Sequence, residues 1–164
     1  MLTQNRVGFL MSLLAGLSAV GCGSASTVLP PHVAIRTVED TVVLQRSAQG
    51  VAFRVTAIVR NEDSRLIQVA MCGMAAQREI EGVWTTVFTP FCASSAVTSL
   101  ASGDSVVVPV GVFGYTTPND LPKLDPRMGP GRYRLLFGVG SSDPLGPTGS
   151  LVGQVQASTS FIVK

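Results

Sequence analysis

Histidine is nearly absent from this 164-residue chain: the one present, His32, follows two prolines near the N-terminus. A Ser-His-Asp triad or a zinc site needs its imidazole held rigidly beside partner groups. A lone histidine in a Pro-Pro-His stretch is expected to be a solvated bystander. Charge is scarce too, at 13% of residues, and nearly balanced, 12 basic side chains against 10 acidic giving +2. No basic run occurs, so nothing provides the electrostatic footprint of a nucleic-acid partner. Cysteine is limited to Cys22, Cys72 and Cys92. A cysteine-based metal site needs more ligands than these, and the CxxC spacing of a redox motif is missing. No glycine loop of the phosphate-binding kind and no EF-hand spacing is found. No catalytic residue, no cofactor and no metal is therefore expected.

Hydrophobic residues, by contrast, make up 46% of the chain, and mean hydropathy is +0.39. That is enough apolar surface to offset chain entropy, so disorder over the bulk of the chain is not expected. The length suits one domain. Its N-terminus has the three-part pattern of a signal peptide. Met1 to Arg6 is polar and positively charged, and Val7 to Val20 is apolar without a charge. This run is shorter than the ~20 residues a membrane-spanning helix needs.

Ala19-Val20-Gly21-Cys22 then resembles the lipobox of bacterial lipoproteins, with Ala19 where leucine is commonest. The resemblance implies a helical signal peptide over 1–21, cleavage after Gly21, and lipid on Cys22 as the membrane anchor. An ordinary signal cleaved elsewhere, such as after Ala25, is the alternative. Gly23 rather than aspartate follows the cysteine, so outer-membrane sorting is implied where the source has two membranes. With Cys22 assigned to lipid, Cys72 and Cys92 remain as an even pair in an oxidising compartment. A structural disulfide between them is expected, stabilising by roughly 3 kcal/mol in the chain-entropy account.

Residues 22–32, small, polar and proline-containing, read as a flexible tether, and 33–164 as the folded domain. Period-two patterning dominates it. Val51, Phe53, Val55, Ala57 and Val59 share one face, with Arg54, Thr56 and Arg60 on the other. Leu66 to Cys72, Gln77 to Glu81, Val83 to Phe88, Ser105 to Val110, Gly131 to Val139 and Ser158 to Val163 read as further strands. Gly82 marks a hairpin or bulged turn, and Pro109 an edge position, since proline cannot donate to a ladder. The stretches 112–130 and 141–150 read as loops. No segment of the mature chain keeps a helical period, and about seven short strands indicate an all-β sandwich.

Leu100-Ala-Ser-Gly103-Asp104 and Gly129-Pro-Gly-Arg-Tyr133 resemble turn and strand-entry signals of bacterial immunoglobulin-like β-sandwich domains. Cys72, Trp84 and Cys92, with Gly82-Val83-Trp84 between the cysteines, resemble a lipoprotein variant of that fold. The cysteine spacing departs from the antibody pattern. This resemblance covers about residues 33–164, and it implies fold and not activity. Tyr133 would form a corner, its hydroxyl bonding back to nearby backbone.

Other side chains carry competing readings. Asp120, Asp125 and Asp143, if their loops meet at one end, would offer oxygens to calcium; turn aspartates are the commoner meaning. Glu79 and Glu81, flanked by Arg78, are paired carboxylates of a hydrolase or an exposed charged hairpin. Trp84 and Phe91 are an aromatic ligand platform or core beside the disulfide. The expected function is a non-catalytic, lipid-anchored envelope module for binding or assembly, its partner a protein met through the loops. The rivals are a proteinase-inhibitor-like protein, implied by kinship with inhibitor-like sandwich domains, and an envelope hydrolase with a pocket lined by Glu79, Glu81 or the loop aspartates.

Overall fold

Alternation of β-branched and polar residues dictates extended chain, and every regular element among the described residues is a strand. The computed structural model describes residues 31–91, 97–117, 120–141 and 153–164. Cys22, Cys92, Asp143 and the signal segment lie outside the described residues, and of Cys72 only the backbone is described. The described residues form eleven strands: β1 (Val33–Thr37), β2 (Thr41–Val42), β3 (Gln45–Ser47), β4 (Gly50–Asn61), β5 (Ile67–Ile80), β6 (Val83–Phe88), β7 (Val97–Leu100), β8 (Ser105–Tyr115), β9 (Gly131–Ser141), β10 (Gly153–Ala157) and β11 (Phe161–Val163). The sequence suggested fewer because the short strands β2, β3 and β10 carry no long alternation.

Two sheets form. In the first, β4 pairs along its length with β8 on one side, and with β1 and β3 on the other. In the second, β9 pairs with β5 on one side and with β10 and β11 on the other, while β6 and β7 flank β5. The N-terminal chain changes sheets twice: β1 lies in the first, β2 joins β11 in the second, and β3 returns to β4.

The inner faces are those the alternation marks. Val51, Phe53, Val55, Ala57 and Val59 of β4 are buried, and Tyr133, Leu135, Phe137 and Val139 of β9 are fully buried. Phe53 meets Tyr133 edge-on at 5.2 Å and Phe161 at 6.0 Å, so three strands from both sheets share one aromatic cluster. The Tyr133 hydroxyl donates to the Gly129 carbonyl at 2.7 Å and accepts from the Gly129 amide at 3.1 Å. That is the backbone corner expected of this tyrosine.

Pro109 occupies the edge its chemistry requires: among the described residues β8 pairs with β4 alone. Its partner Thr56 turns its backbone the other way. The Thr56 carbonyl accepts from the Val38 amide at 2.8 Å, and its amide donates to a Glu39 carboxylate oxygen at 2.7 Å. The missing proline N–H therefore faces the open side of β8 and leaves no ladder partner unsatisfied.

Ile80 faces Val83 across Glu81 (φ 53°) and Gly82 (φ 79°). Two residues with positive φ make a type I′ turn, whose twist suits a hairpin. Glu81 is thus a turn residue, and the strand read over Gln77 to Glu81 ends at Ile80. In β5 the pairing with β9 slips: Ala70 faces Gly138 and Ala75 faces Leu136, leaving Met71 to Met74 opposite Phe137. The extra residues form a wide irregularity, around which one long strand replaces the two shorter ones read from sequence.

Candidate functional site

The two ends of the sandwich differ. Asn61, Ile67, Leu100, Ser105 and Ser141 mark one end, where β1 also begins at Val33. Gly50, Tyr115, Gly131 and the Glu81-Gly82 turn mark the other. The entering chain is fastened at the first end. The Pro31 carbonyl accepts from Gln156 at 2.8 Å, and the His32 carbonyl from the Glu62 amide at 3.0 Å. His32 also donates its own amide to Asp63, and its ring nitrogen lies 3.4 Å from Glu62 with the side chain 77% exposed. His32 was placed in the tether by composition; its backbone in fact belongs to the folded unit.

That end is tied by one buried amide. Asn61, with no exposed surface, donates to the carbonyls of Arg65 (2.8 Å) and Leu100 (3.0 Å) and accepts from the Asp63 amide (2.9 Å). Asp63 in turn takes two bonds from the Arg65 guanidinium, at 3.0 and 2.6 Å, and its carboxyl is held far below the usual range, chiefly by them.

Of the carboxylates singled out in the sequence, Asp120, Asp125 and Glu79 each have a partner. Asp125 accepts from the amide, Nε and Nη2 of Arg127 at 2.8, 2.9 and 2.5 Å, and the Arg127 side chain lowers its pKa. Asp120 accepts from the Thr117 hydroxyl. Both follow β8 at the far end. Asp143 lies outside the described residues, and Asp125 is turned to Arg127, not to Asp120. Among the described residues no group of three or more metal-ligating side chains is found.

Glu79 pairs with Arg132 at 3.4 Å on the outer face of the second sheet. Trp84 lies there too, opposite Glu79 on β6. The Arg134 guanidinium sits 4.5 Å from its ring and Arg132 6.0 Å away, and Arg134 is steadied by Gln77 at 2.8 Å. Trp84 is therefore a surface cation–π partner, neither a core residue nor a bare platform. Phe91 is 77% exposed. Arg78, on the inner side, clamps the loop before β9 by donating to the carbonyls of Arg127 (2.5 Å) and Pro130 (2.6 Å).

The concavity that does exist was not read from the sequence. A cleft of about 830 Å³ lies over the far half of the first sheet, lined by β3, the start of β4 and the end of β8. Glu79, Glu81, Asp120 and Asp125 do not line it. Its floor is low because Ala52 and Gly111 face outward there, while Arg54, Phe113 and Tyr115 rise beside them. Phe113 and Tyr115 contact at 5.6 Å, 60° apart, and Phe113 packs on Phe88 of the other sheet at 5.6 Å. Gln45, Ser47 and Gln49 add polar groups to the rim. The signal was legible only in part: an outward run of Gly111, Phe113 and Tyr115 continues the alternation of Ser105 to Val110, in a stretch read as loop from Val112 onward.

No protein-family model matches the chain, and no curated protein matches it. Among solved structures it is similar to the Pseudomonas fluorescens alkylpurine DNA glycosylase AlkC, at 11% identity and a TM-score of 0.41, over 83% of this chain and 31% of that one. A β-glucosidase from Erythrobacter marinus aligns at 17% identity and a TM-score of 0.37, over 82% of this chain and 16% of the enzyme. One from Listeria innocua aligns at 14% and 0.35, again over 16% of the enzyme. The chain thus spans a minor part of each protein, and likenesses this slight convey nothing about activity.

Proposed function

We propose that this protein is a non-catalytic binding module of the immunoglobulin-like kind, exported and anchored to a bacterial membrane through lipid on Cys22. The observation that carries the binding role is the cleft of about 830 Å³ on the outer face of β3, β4 and β8. Its volume falls in the range of ligand sites, roughly 300–1,000 Å³. It lies at the end opposite the fastened Pro31 and His32. An anchor at Cys22 would join the domain at the end opposite the cleft and so leave the cleft clear of the attachment point.

The same reading keeps Cys72 and Cys92 as a disulfide. Phe88 faces Ala76 and Val97 faces Ala70, so the segment bearing Cys92 joins two points on one edge of β5, on either side of Cys72. A bridge there would tie that crossing to the irregular part of β5.

Two measurements test the proposal. Mass spectrometry of the mature chain should find a lipid-modified Cys22 at the N-terminus and no free thiol before reduction, and Cys22→Ser should leave the membrane fraction. A different N-terminus would overturn the anchor. For binding, a photo-crosslinking residue at exposed Gln49 should give adducts in intact cells, and one at Val155 on the other sheet should not. Gly111→Trp should abolish them: a Cβ at this exposed position meets only the Phe113 ring, 4.0 Å away, and an unchanged melting temperature will show that the variant folds. Adducts that persist in this variant would overturn the cleft as the binding surface.

A further inference from the structure

The first sheet has an uneven charge that its use as a mere wall does not explain. Its four strands carry Arg36, Arg46, Arg54 and Arg60 and not one aspartate or glutamate. Arg36, Arg54 and Arg60 all lie on exposed outward positions. Among the described residues none of them belongs to an ion pair. On the outer face of the second sheet the arginines are engaged instead, Arg132 with Glu79, and Arg134 with Gln77 and Trp84. Glu39 reaches this face between Arg54 and Arg60, where its carboxylate accepts from the Thr56 amide and hydroxyl; Glu62 and Asp104 lie just beyond the tether end of β4 and β8. Arg54 and Arg60, six residues apart on β4, are spaced by about 20 Å. The unpaired cations thus form a row that begins at the cleft and runs toward the tether end.

We infer that the cleft and this row together bind an acidic oligosaccharide, with Arg54 as the central anion contact and the Phe113–Tyr115 pair as the stacking surface for a sugar ring. The inference rests on the binding role proposed for the cleft and names its ligand class. Guanidinium groups pair with carboxylate or phosphate in bidentate fashion, and those of this face are not committed elsewhere. An aromatic face beside a floor of glycine and alanine lets a pyranose ring approach closely, its C–H groups against the ring and its hydroxyls toward Gln45, Ser47 and Gln49. Repeating charge along about 20 Å of strand suits a chain of several sugars better than one small anion. Nucleic acid fits less well: the whole chain carries only +2, too little for a phosphate-tracking surface.

The test is titration calorimetry with the full exported chain in neutral detergent, using a galacturonic-acid hexamer as the acidic probe and maltohexaose as the neutral one. The acidic hexamer should bind at least about ten-fold more tightly than maltohexaose, and its affinity should fall as salt rises. Arg54→Gln and Tyr115→Ala should each weaken it about ten-fold, whereas Arg132→Gln on the opposite sheet should leave it unchanged. Both altered residues of the cleft are exposed, and unchanged melting temperatures will show that the variants fold. Equal affinity for both hexamers, or no loss in Arg54→Gln, would overturn the inference. So would binding only to inorganic phosphate or to phosphatidylglycerol vesicles, which would mark a general anion or membrane surface. If the acidic hexamer fails while crosslinking at Gln49 remains sensitive to Gly111→Trp, the ligand class is wrong and the binding role stands. If both fail, both readings fall.

Discussion

Tyr133 illustrates how a single residue links both kinds of force in this molecule. Its ring is wholly buried against Phe53, and its hydroxyl makes two bonds with the Gly129 backbone. Burial is the main reason its pKa is raised, so the hydroxyl stays protonated and able to donate. Tyr133→Phe keeps the packing and strands one backbone amide and one carbonyl, which should cost about 1–3 kcal/mol in urea unfolding. Glu39 works by charge instead. The Thr56 amide is the first cause that lowers its pKa, with help from the Thr56 hydroxyl. A depressed folded-state pKa stabilises above the unfolded value, ~4.3, and the contribution is lost as pH falls through the folded value. Glu39→Gln should therefore be the less stable protein at pH 7, by under ~1 kcal/mol because the site is well solvated. The gap should close below about pH 4, as thermal melts at stepped pH would show.

Among the elements, β4 is the one whose pattern, register and environment all agree. Its alternation is regular, its inner residues are buried, and it pairs over its full length with β8. The pair closes at Gly50, where φ is 150° and a Cβ would collide with the Gly114 carbonyl oxygen. Gly50→Ala should force the ends of β4 and β8 apart, destabilise by about 2 kcal/mol or more, and be visible as early amide exchange at Val51 and Tyr115. Strands β5 and β8 were less legible. A wide irregularity in β5 interrupts its period, so Leu66 to Cys72 and Gln77 to Glu81 read as separate strands. Gly111 and Gly114 in β8 resemble loop punctuation, yet Gly111 lines the cleft and Gly114 lies against Leu124. In both cases glycine and register were chosen by neighbours distant in sequence, where local propensity has no voice.

For the whole molecule, the sandwich is a single aromatic-centred core closed by Phe53, Tyr133 and Phe161. Phe53→Ala removes a side chain 2% exposed from contact with both sheets. It should cost about 3–5 kcal/mol, and lower the unfolding midpoint without splitting the transition, because the sheets share this core. Circular dichroism and tyrosine fluorescence should report one coincident midpoint; two midpoints would mean that the sheets unfold separately.

Composition and alternation by themselves determined that the domain is all-β, which faces of β4 and β9 are buried, and that Pro109 sits on an edge; the corner at Tyr133 came from the resemblance of Gly129 to Tyr133 to a known strand entry. The first three follow from side-chain chemistry repeating every second residue, a local property that survives in one dimension. The resemblance of Ala19-Val20-Gly21-Cys22 to a lipobox, on which the proposed anchor rests, is likewise read from order along the chain and needs no fold. Only the tertiary structure decided that Asp125 is held by Arg127 and that Glu81 lies in a turn. It alone decided that Trp84 is covered by Arg134, and that Arg36, Arg54 and Arg60 share an outer face with a cleft. Those facts depend on which strands become neighbours, and strand pairing is set by long-range burial that no short stretch of sequence encodes.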